Sequence, residues 1–339
     1  MVAVSSEMPD WGQYLGQHAD ATVLHDPRWG RLMLQAYASR PYYLTARRGN
    51  QTVGVLQLVH QKSLMFGSYL CGMPYFDGAG ILADDSGARE SLTREAESLR
   101  KRVGAGWVEI RQFGPIGDSL PARTDKVTMW LPLQTGSEAM WDFLKTKVRT
   151  KVRKSQKMGL TVLEGQGGLL DDFFEIYSRT MRDLGSPPHS RRFFQLIVEQ
   201  FGPAVKLFSV RSEHLLLAAS LALVDRQGFH VPWSGSDHRY SELSANRLMY
   251  WSMLASACDS GSKLFDFGRS TRGSGTYEFK KEWGAQEVQL YWHYLLPPGR
   301  QPPDLRPDSA RYRMMVACWR HLPLGLARFL GPRIIGKLS

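Results

Sequence analysis

The stretch from Lys263 to Ala285 confines this chain more tightly than any other. Leu264 to Phe267 reads as a short apolar strand that gives way at Gly268 to a polar loop broken again by Gly273 and Gly275. A short helix carrying Lys280 and Lys281 follows, and Trp283-Gly284 stops it. Polar side chains at a strand end, on a loop that opens a helix, are where α/β proteins place their chemistry. The loop is not a dinucleotide fingerprint, because Gly273-Ser-Gly275 lacks a third glycine at the required offset, and no Gly-Lys-Ser/Thr of a P-loop occurs.

The surrounding pattern predicts an α/β (α+β) chain in two parts, for which 339 residues give room. The first part has a helix at 27–39, a hairpin from Tyr42–Arg47 and Thr52–His60 around Arg48-Gly49-Asn50, and a glycine-shaped loop at 72–80. A charged helix from Ser86 to Arg102 and strands at 107–113 and 127–133 complete it. The second part opens with one long helix at 137–158, then a strand at 160–164, helices at 169–184 and 190–201, and strands at 204–211, 215–225 and 229–233. Helix 242–259, the strand and loop described above, and one alternating strand from Val288 to Tyr294 follow. The halves share an order of elements but no exact repeat. Pro297 to Pro303 reads as a linker, and an amphipathic, basic tail follows it.

Apolar residues at 43% and charged residues at 22% are ordinary for a globular chain. The net charge of +11 favours phosphate-bearing partners or anionic membrane surfaces. It is concentrated between Lys145 and Lys157, where seven lysines and arginines stand without an acid. On a helix Lys147, Lys151 and Lys154 share one face, and Lys145, Arg149, Arg153 and Lys157 another. That surface suits phosphate contact, with Arg149, Arg153 and Lys154 as the candidates, and equally suits a solvated helix between domains. Cys71, Cys258 and Cys318 lack metal-site spacing and sit in apolar contexts, which fits a reducing compartment. With no signal peptide in the N-terminal residues and no apolar run near the roughly 20 residues of a membrane span, the expected location is the cytoplasm.

Several motifs in order resemble FemAB-type acyltransferases: Phe265-Asp-Phe-Gly-Arg-Ser270 with Tyr277-Glu-Phe-Lys-Lys-Glu-Trp-Gly284, Met181 to Phe194, Val231-Pro-Trp-Ser-Gly-Ser236, Asn246-Arg-Leu-Met-Tyr-Trp251, Val152 to Leu160, and His25-Asp-Pro-Arg-Trp29. They span about residues 25 to 295, and the resemblance is strongest to the branch found beside exosortase/PEP-CTERM and exopolysaccharide systems. It implies two tandem GNAT-like domains, here bounded as 1–144 and 145–297, with 298–339 as linker and tail. The best-known members transfer an amino acid from aminoacyl-tRNA to an amine of a peptidoglycan precursor. The long coiled-coil insertion of some members has no counterpart in this sequence.

Amine acylation needs an uncharged nucleophile, a site for the oxyanion and a route for the proton. Lys280 matches the lysine of the family's Phe-Lys motif and is the catalytic candidate; the competing reading of Lys280-Lys281 is a solvated helix face. Arg269, Ser270, Tyr277, Trp233, Ser234, Ser236 and Asn246 are candidates for shaping the substrate pocket. Arg269 could hold a phosphate or carboxylate, or brace its loop through Asp266 or Glu278. Ser270 and Ser274 could donate to substrate, although capping the next helix is the commoner use of such residues. His230 and His238 flank the Val231–Ser236 segment, and a strand histidine is more often packed than functional. No tightly bound cofactor and no metal are expected. Two donors compete, aminoacyl-tRNA and acyl-CoA; a convincing pyrophosphate loop of the acetyltransferase type is missing, which weighs against the second. The implied partners are a small-molecule or lipid-linked envelope precursor, tRNA, and the inner face of the cytoplasmic membrane through the tail. A GNAT-like scaffold without catalysis is the reading from a different class.

Overall fold

The computed structural model describes residues 1–63, 67–117, 120–302 and 310–337. Along the chain the first elements are β1 (Val2–Ser5), α1 (Gly12–Gln17), α2 (Arg28–Tyr37), β2 (Arg40–Arg48), β3 (Gln51–Ser63), β4 (Gly67–Gly72), β5 (Leu82–Ala83), α3 (Ser86–Arg102), β6 (Val108–Gln112) and β7 (Ala122–Arg123). Then come β8 (Lys126–Pro132), α4 (Ser137–Phe143), α5 (Thr146–Lys157), β9 (Thr161–Gly165), α6 (Leu170–Leu184), α7 (Arg191–Phe201), β10 (Val205–Ser212), β11 (Leu215–Val224) and β12 (Phe229–Ser236). The last are α8 (Ala245–Asp259), β13 (Leu264–Thr271), α9 (Gly275–Glu282), β14 (Gln286–Gln289), β15 (Tyr291–Leu295), α10 (Ala310–Arg320) and α11 (Leu324–Ile335).

These form two compact units, Met1–Lys126 with Gln289–Arg306 and Arg333–Ser339, and Val127–Val288 with Pro307–Pro332. The first sheet has the order β1-β2-β3-β4-β6-β15-β7 with β5 on β3, and the second β14-β8-β13-β12-β11-β10-β9. Each holds a parallel contact where the chain crosses over a helix, β4 with β6 across α3 and β12 with β13 across α8. Leu92, Ala96 and Leu99 of α3 cover Leu44, Leu56, Leu58, Val108 and Ile110 in the first unit. Helix α3 starts where the Asp85 carboxylate accepts the Ala88 N–H at 2.8 Å, and ends on Arg100, Lys101 and Arg102, charges suited to its C-terminal dipole. In the second unit α8 buries Leu248, Met249, Met253, Leu254 and Ala257 against Phe208, Phe229, Phe265 and Phe267.

Three elements differ from the reading of the sequence, each for a packing reason. The helix expected over 137–158 breaks between α4 and α5, because Leu144 takes an extended ψ of 141° that lets its side chain enter the core. The strand expected from Val288 to Tyr294 is two strands in different sheets, parted at fully buried Leu290. The Gln289 side chain fixes the break by donating to the carbonyls of Thr124, Lys126 and Leu290 at 2.9, 2.9 and 2.7 Å. The tail, which the sequence suited to a membrane face, packs within the second unit as far as Pro332: Gly331 lies so close to Pro188 that a Cβ would meet its ring at 2.5 Å, and Arg328 bonds Ser178 and Glu175. Among the described residues no helix is long and apolar enough to cross a membrane.

Candidate active site

The site is built where β12 and β13 meet. Their parallel ladder consists of Phe229 opposite Phe265 and His230 opposite Asp266. Phe229 and Phe265 stack with centroids 5.4 Å apart and anchor the crossing in the core. Just beyond, Gly268 adopts φ 76° with the position of a Cβ only 3.1 Å from the Val231 carbonyl oxygen, so both the left-handed backbone and the close approach require glycine. The turn this produces sends Arg269 outward and Ser270 inward.

Asp266 holds the turn from below. Its Oδ1 accepts from Thr128 Oγ1 at 2.6 Å and from the Gly268 N–H at 2.9 Å. Buried His230 stands between two carboxylates, with Nε2 3.3 Å from Asp225 Oδ2 and Nδ1 3.5 Å from Asp266 Oδ2. Both carboxylates lie within ion-pair distance of the ring, although neither contact meets hydrogen-bond geometry. Burial pushes the imidazole pKa down, yet the two carboxylates override it and raise it to about 9. His230 is therefore a buried cation at neutral pH, and the Asp266 carboxyl, despite its burial, is drawn below its usual range by His230, Thr128 and the Gly268 N–H.

Above this node lies Lys280. The first turns of α9 are fixed by Ser274, whose Oγ accepts the Tyr277 N–H at 3.2 Å, so this serine takes its capping role. One turn on, the Lys280 side chain returns to the strand end and its Nζ donates to the Gly268 and Arg269 carbonyls at 2.8 and 2.9 Å. It is 7% exposed, while Lys281 is exposed with its ammonium over the Tyr277 ring. The pair is thus not a uniform solvated face. On the same strand as those two carbonyls, Ser270, 4% exposed, has an Oγ without a hydrogen-bond partner among the described residues. A buried hydroxyl left so costs stability, and such groups call for an explanation.

The other candidates fall into different surroundings. The Arg269 side chain is exposed while its carbonyl serves Lys280. Tyr277 bonds Glu287 at 3.0 Å. Trp233 is packed edge-on against His189, Phe193 and Phe194 and only 9% exposed. Ser234 Oγ meets Tyr250 OH at 2.9 Å, and Ser236 and Asn246 are half-buried, at the end of β12 and in the first turn of α8. On α5, Lys147 and Lys151 face Glu282 of α9 at 3.2 and 3.6 Å, and Arg247 joins them at 2.6 Å. Burial alone would raise the Glu282 pKa, but these cations depress it to about 2. Arg149 pairs with Asp142 at 3.4 Å and Arg153 lies over the Trp141 ring, whereas Lys154 is exposed. One face of the basic run is therefore occupied with bracing α9, the helix that carries Lys280. Asp225, His230, Asp266 and Thr128 were missed as a site from the sequence, since only the fold joins them.

Residues 143–281, which lie within the second unit, match a family model described as an acetyltransferase (GNAT) domain. No curated protein matches the sequence significantly. Among solved structures the chain is similar to FemX, with TM-score 0.64, 15% identity, and 84% of this chain and 94% of that one covered. It is similar also to the C-terminal domain of a putative lysylphosphatidylglycerol synthetase from Agrobacterium fabrum, with TM-score 0.55, 11% identity and coverage of 85% and 90%. A tandem GNAT protein of the clavulanic acid pathway gives TM-score 0.52, 10% identity and coverage of 87% and 97%. The fold is thus a tandem of GNAT-like units, as the motifs implied, while nothing in these likenesses bears on the exosortase branch.

Proposed function

We propose that this chain transfers an acyl or aminoacyl group to an amine of a cell-envelope precursor, with Lys280 as the residue that meets the developing negative charge. The observation that carries this reading is the buried Lys280 ammonium, held by the Gly268 and Arg269 carbonyls at the end of the strand that also carries the unsatisfied Ser270 hydroxyl. The acceptor amine attacks the carbonyl carbon of the donor ester or thioester, a C–N bond forms, and the carbonyl oxygen becomes an oxyanion. Collapse breaks the C–O or C–S bond, and the proton lost by the amine leaves with the donor's alcohol or thiol. A fixed ammonium and a buried hydroxyl stabilise that oxyanion without reorganising. Two carbonyl dipoles already face the ammonium and fix its position.

Aminoacyl-tRNA is the donor favoured by the FemAB-type motifs and the net charge of +11, and the neighbouring FemX and synthetase folds suit an envelope acceptor. Acyl-CoA is the second reading, favoured by the match of residues 143–281 to the acetyltransferase model. An exopolysaccharide acceptor rests on the sequence resemblance alone. Incubation with labelled aminoacyl-tRNA and, separately, labelled acetyl-CoA, with amine acceptors, discriminates the donors by which label enters an amide. If neither donor is turned over and neither raises the melting temperature, the scaffold reading replaces this one.

A further inference from the structure

We propose that the first unit carries a second, phosphate-binding pocket that shares no residue with the Lys280 site. A cavity of about 520 Å³ opens between the start of β2, the far end of β3, the end of α3 and the C-terminal residues. Arg40, His60, Gln61, Lys62, Arg102 and Lys337 line it, and no aspartate or glutamate does. Arg102 is engaged by Glu95 at 2.8 Å, but no carboxylate among the described residues pairs with Arg40, Lys62 or Lys337. Like charges gathered on a concave wall focus a positive potential, and an anion bound there relieves their repulsion.

The floor of the pocket gives a second, independent indication. Gln61 is 1% exposed; its Oε1 accepts from Ser39 Oγ at 3.3 Å, yet its Nε2 has no hydrogen-bond partner among the described residues. A buried amide N–H₂ without an acceptor is costly, and it points to an acceptor brought by a ligand. A phosphate group supplies both what the cations need, about one to two negative charges in a diester or monoester, and what Gln61 needs, several acceptor oxygens. His60, bonded to Ser68 Oγ at 2.7 Å, can report on binding: burial and the charges of Lys62 and Arg40 hold its pKa below the usual value, and a bound anion would counter them. The phosphate could be that of a soluble sugar phosphate or of a lipid headgroup.

The test follows the His60 imidazole by NMR and measures binding by calorimetry on the full chain. Inorganic phosphate and glucose 1-phosphate form one arm, and vesicles of phosphatidylglycerol against phosphatidylcholine the other. Phosphate is expected to move the His60 titration midpoint upward, and the double substitution Arg40→Gln/Lys62→Gln to weaken binding at least tenfold. Gln61→Met, which keeps the shape and the charge, should weaken it severalfold, while Arg94→Gln on the exposed side of α3 leaves it unchanged. Tight uptake of glucose 1-phosphate assigns the soluble source; selective binding to phosphatidylglycerol vesicles, lost in the double variant, assigns the headgroup. Both exposed positions tolerate glutamine, so a folded double variant that binds like the parent overturns the proposal, as does a His60 midpoint indifferent to every probe.

Discussion

The two units solve the same crossing in opposite ways. In each, a parallel contact consists of an apolar pair followed by a pair containing an acid: Leu70 with Val108 then Cys71 with Glu109, and Phe229 with Phe265 then His230 with Asp266. In the first unit the acid is sealed. Glu109 accepts from Arg111 Nε at 2.8 Å, both side chains are 1% exposed, and the Arg111 guanidinium lies 3.9 Å from the Trp292 ring centroid. In the second unit Asp266 is shared among Thr128, His230 and the Gly268 N–H, and the turn it supports presents carbonyls to Lys280. A charge neutralised by its neighbour makes a joint; a charge spread over a turn braces the turn whose carbonyls hold Lys280.

The largest effect should separate joint from site. Glu109→Gln strands the buried Arg111 and should cost about 3–5 kcal/mol in denaturant unfolding, with turnover of the folded fraction unchanged. A cost below about 1 kcal/mol would remove the contrast. Next, Lys280→Met should lower turnover by roughly 10²–10³-fold with donor binding nearly unchanged, the scale of losing one oxyanion donor; appreciable turnover in steady-state assays sinks its proposed role. The third effect depends on pH. The His230 pKa is raised on folding to about 9, so its contribution is complete below its unfolded value near 6.5 and is lost as pH climbs through 9. Stability of the parent should fall across that window by up to about 1.4 kcal/mol per pH unit, and His230→Gln should flatten the curve in urea titrations. The smallest effect is the most diagnostic of purpose. Ser270→Ala removes an unsatisfied hydroxyl, so it should leave stability equal or higher by up to about 1 kcal/mol while reducing turnover. A gain in stability with full activity would make Ser270 mere packing.

Local features were the legible ones. Ser86 to Arg102 was bounded correctly because cap, periodicity and basic last turn agree within one segment. Lys280 stood out because its motif is contiguous, and Ser274 and Trp283-Gly284 took the capping and stopping roles that their positions suggest. What escaped was set by distance along the chain. Thr128 meets Asp266 across 138 residues, and His230 gains its charge from Asp225 and Asp266, acids that no spacing rule connects. The surroundings of Trp233 were also hidden from the sequence: its motif reads as polar, while the rings of Phe193 and Phe194 that pack on it come from α7.

The break at Leu290 bears on the order in which the protein is made. Strand β15 is inserted between β6 and β7, so the first sheet receives an interior strand only after residues 127–288 of the second unit have been synthesised. While the ribosome works through residues 127–288, β6 has an open hydrogen-bonding edge, the kind of surface that pairs with other chains. The N-terminal part therefore cannot finish first, and a nascent chain of this design must shelter an unclosed sheet until its last strand arrives.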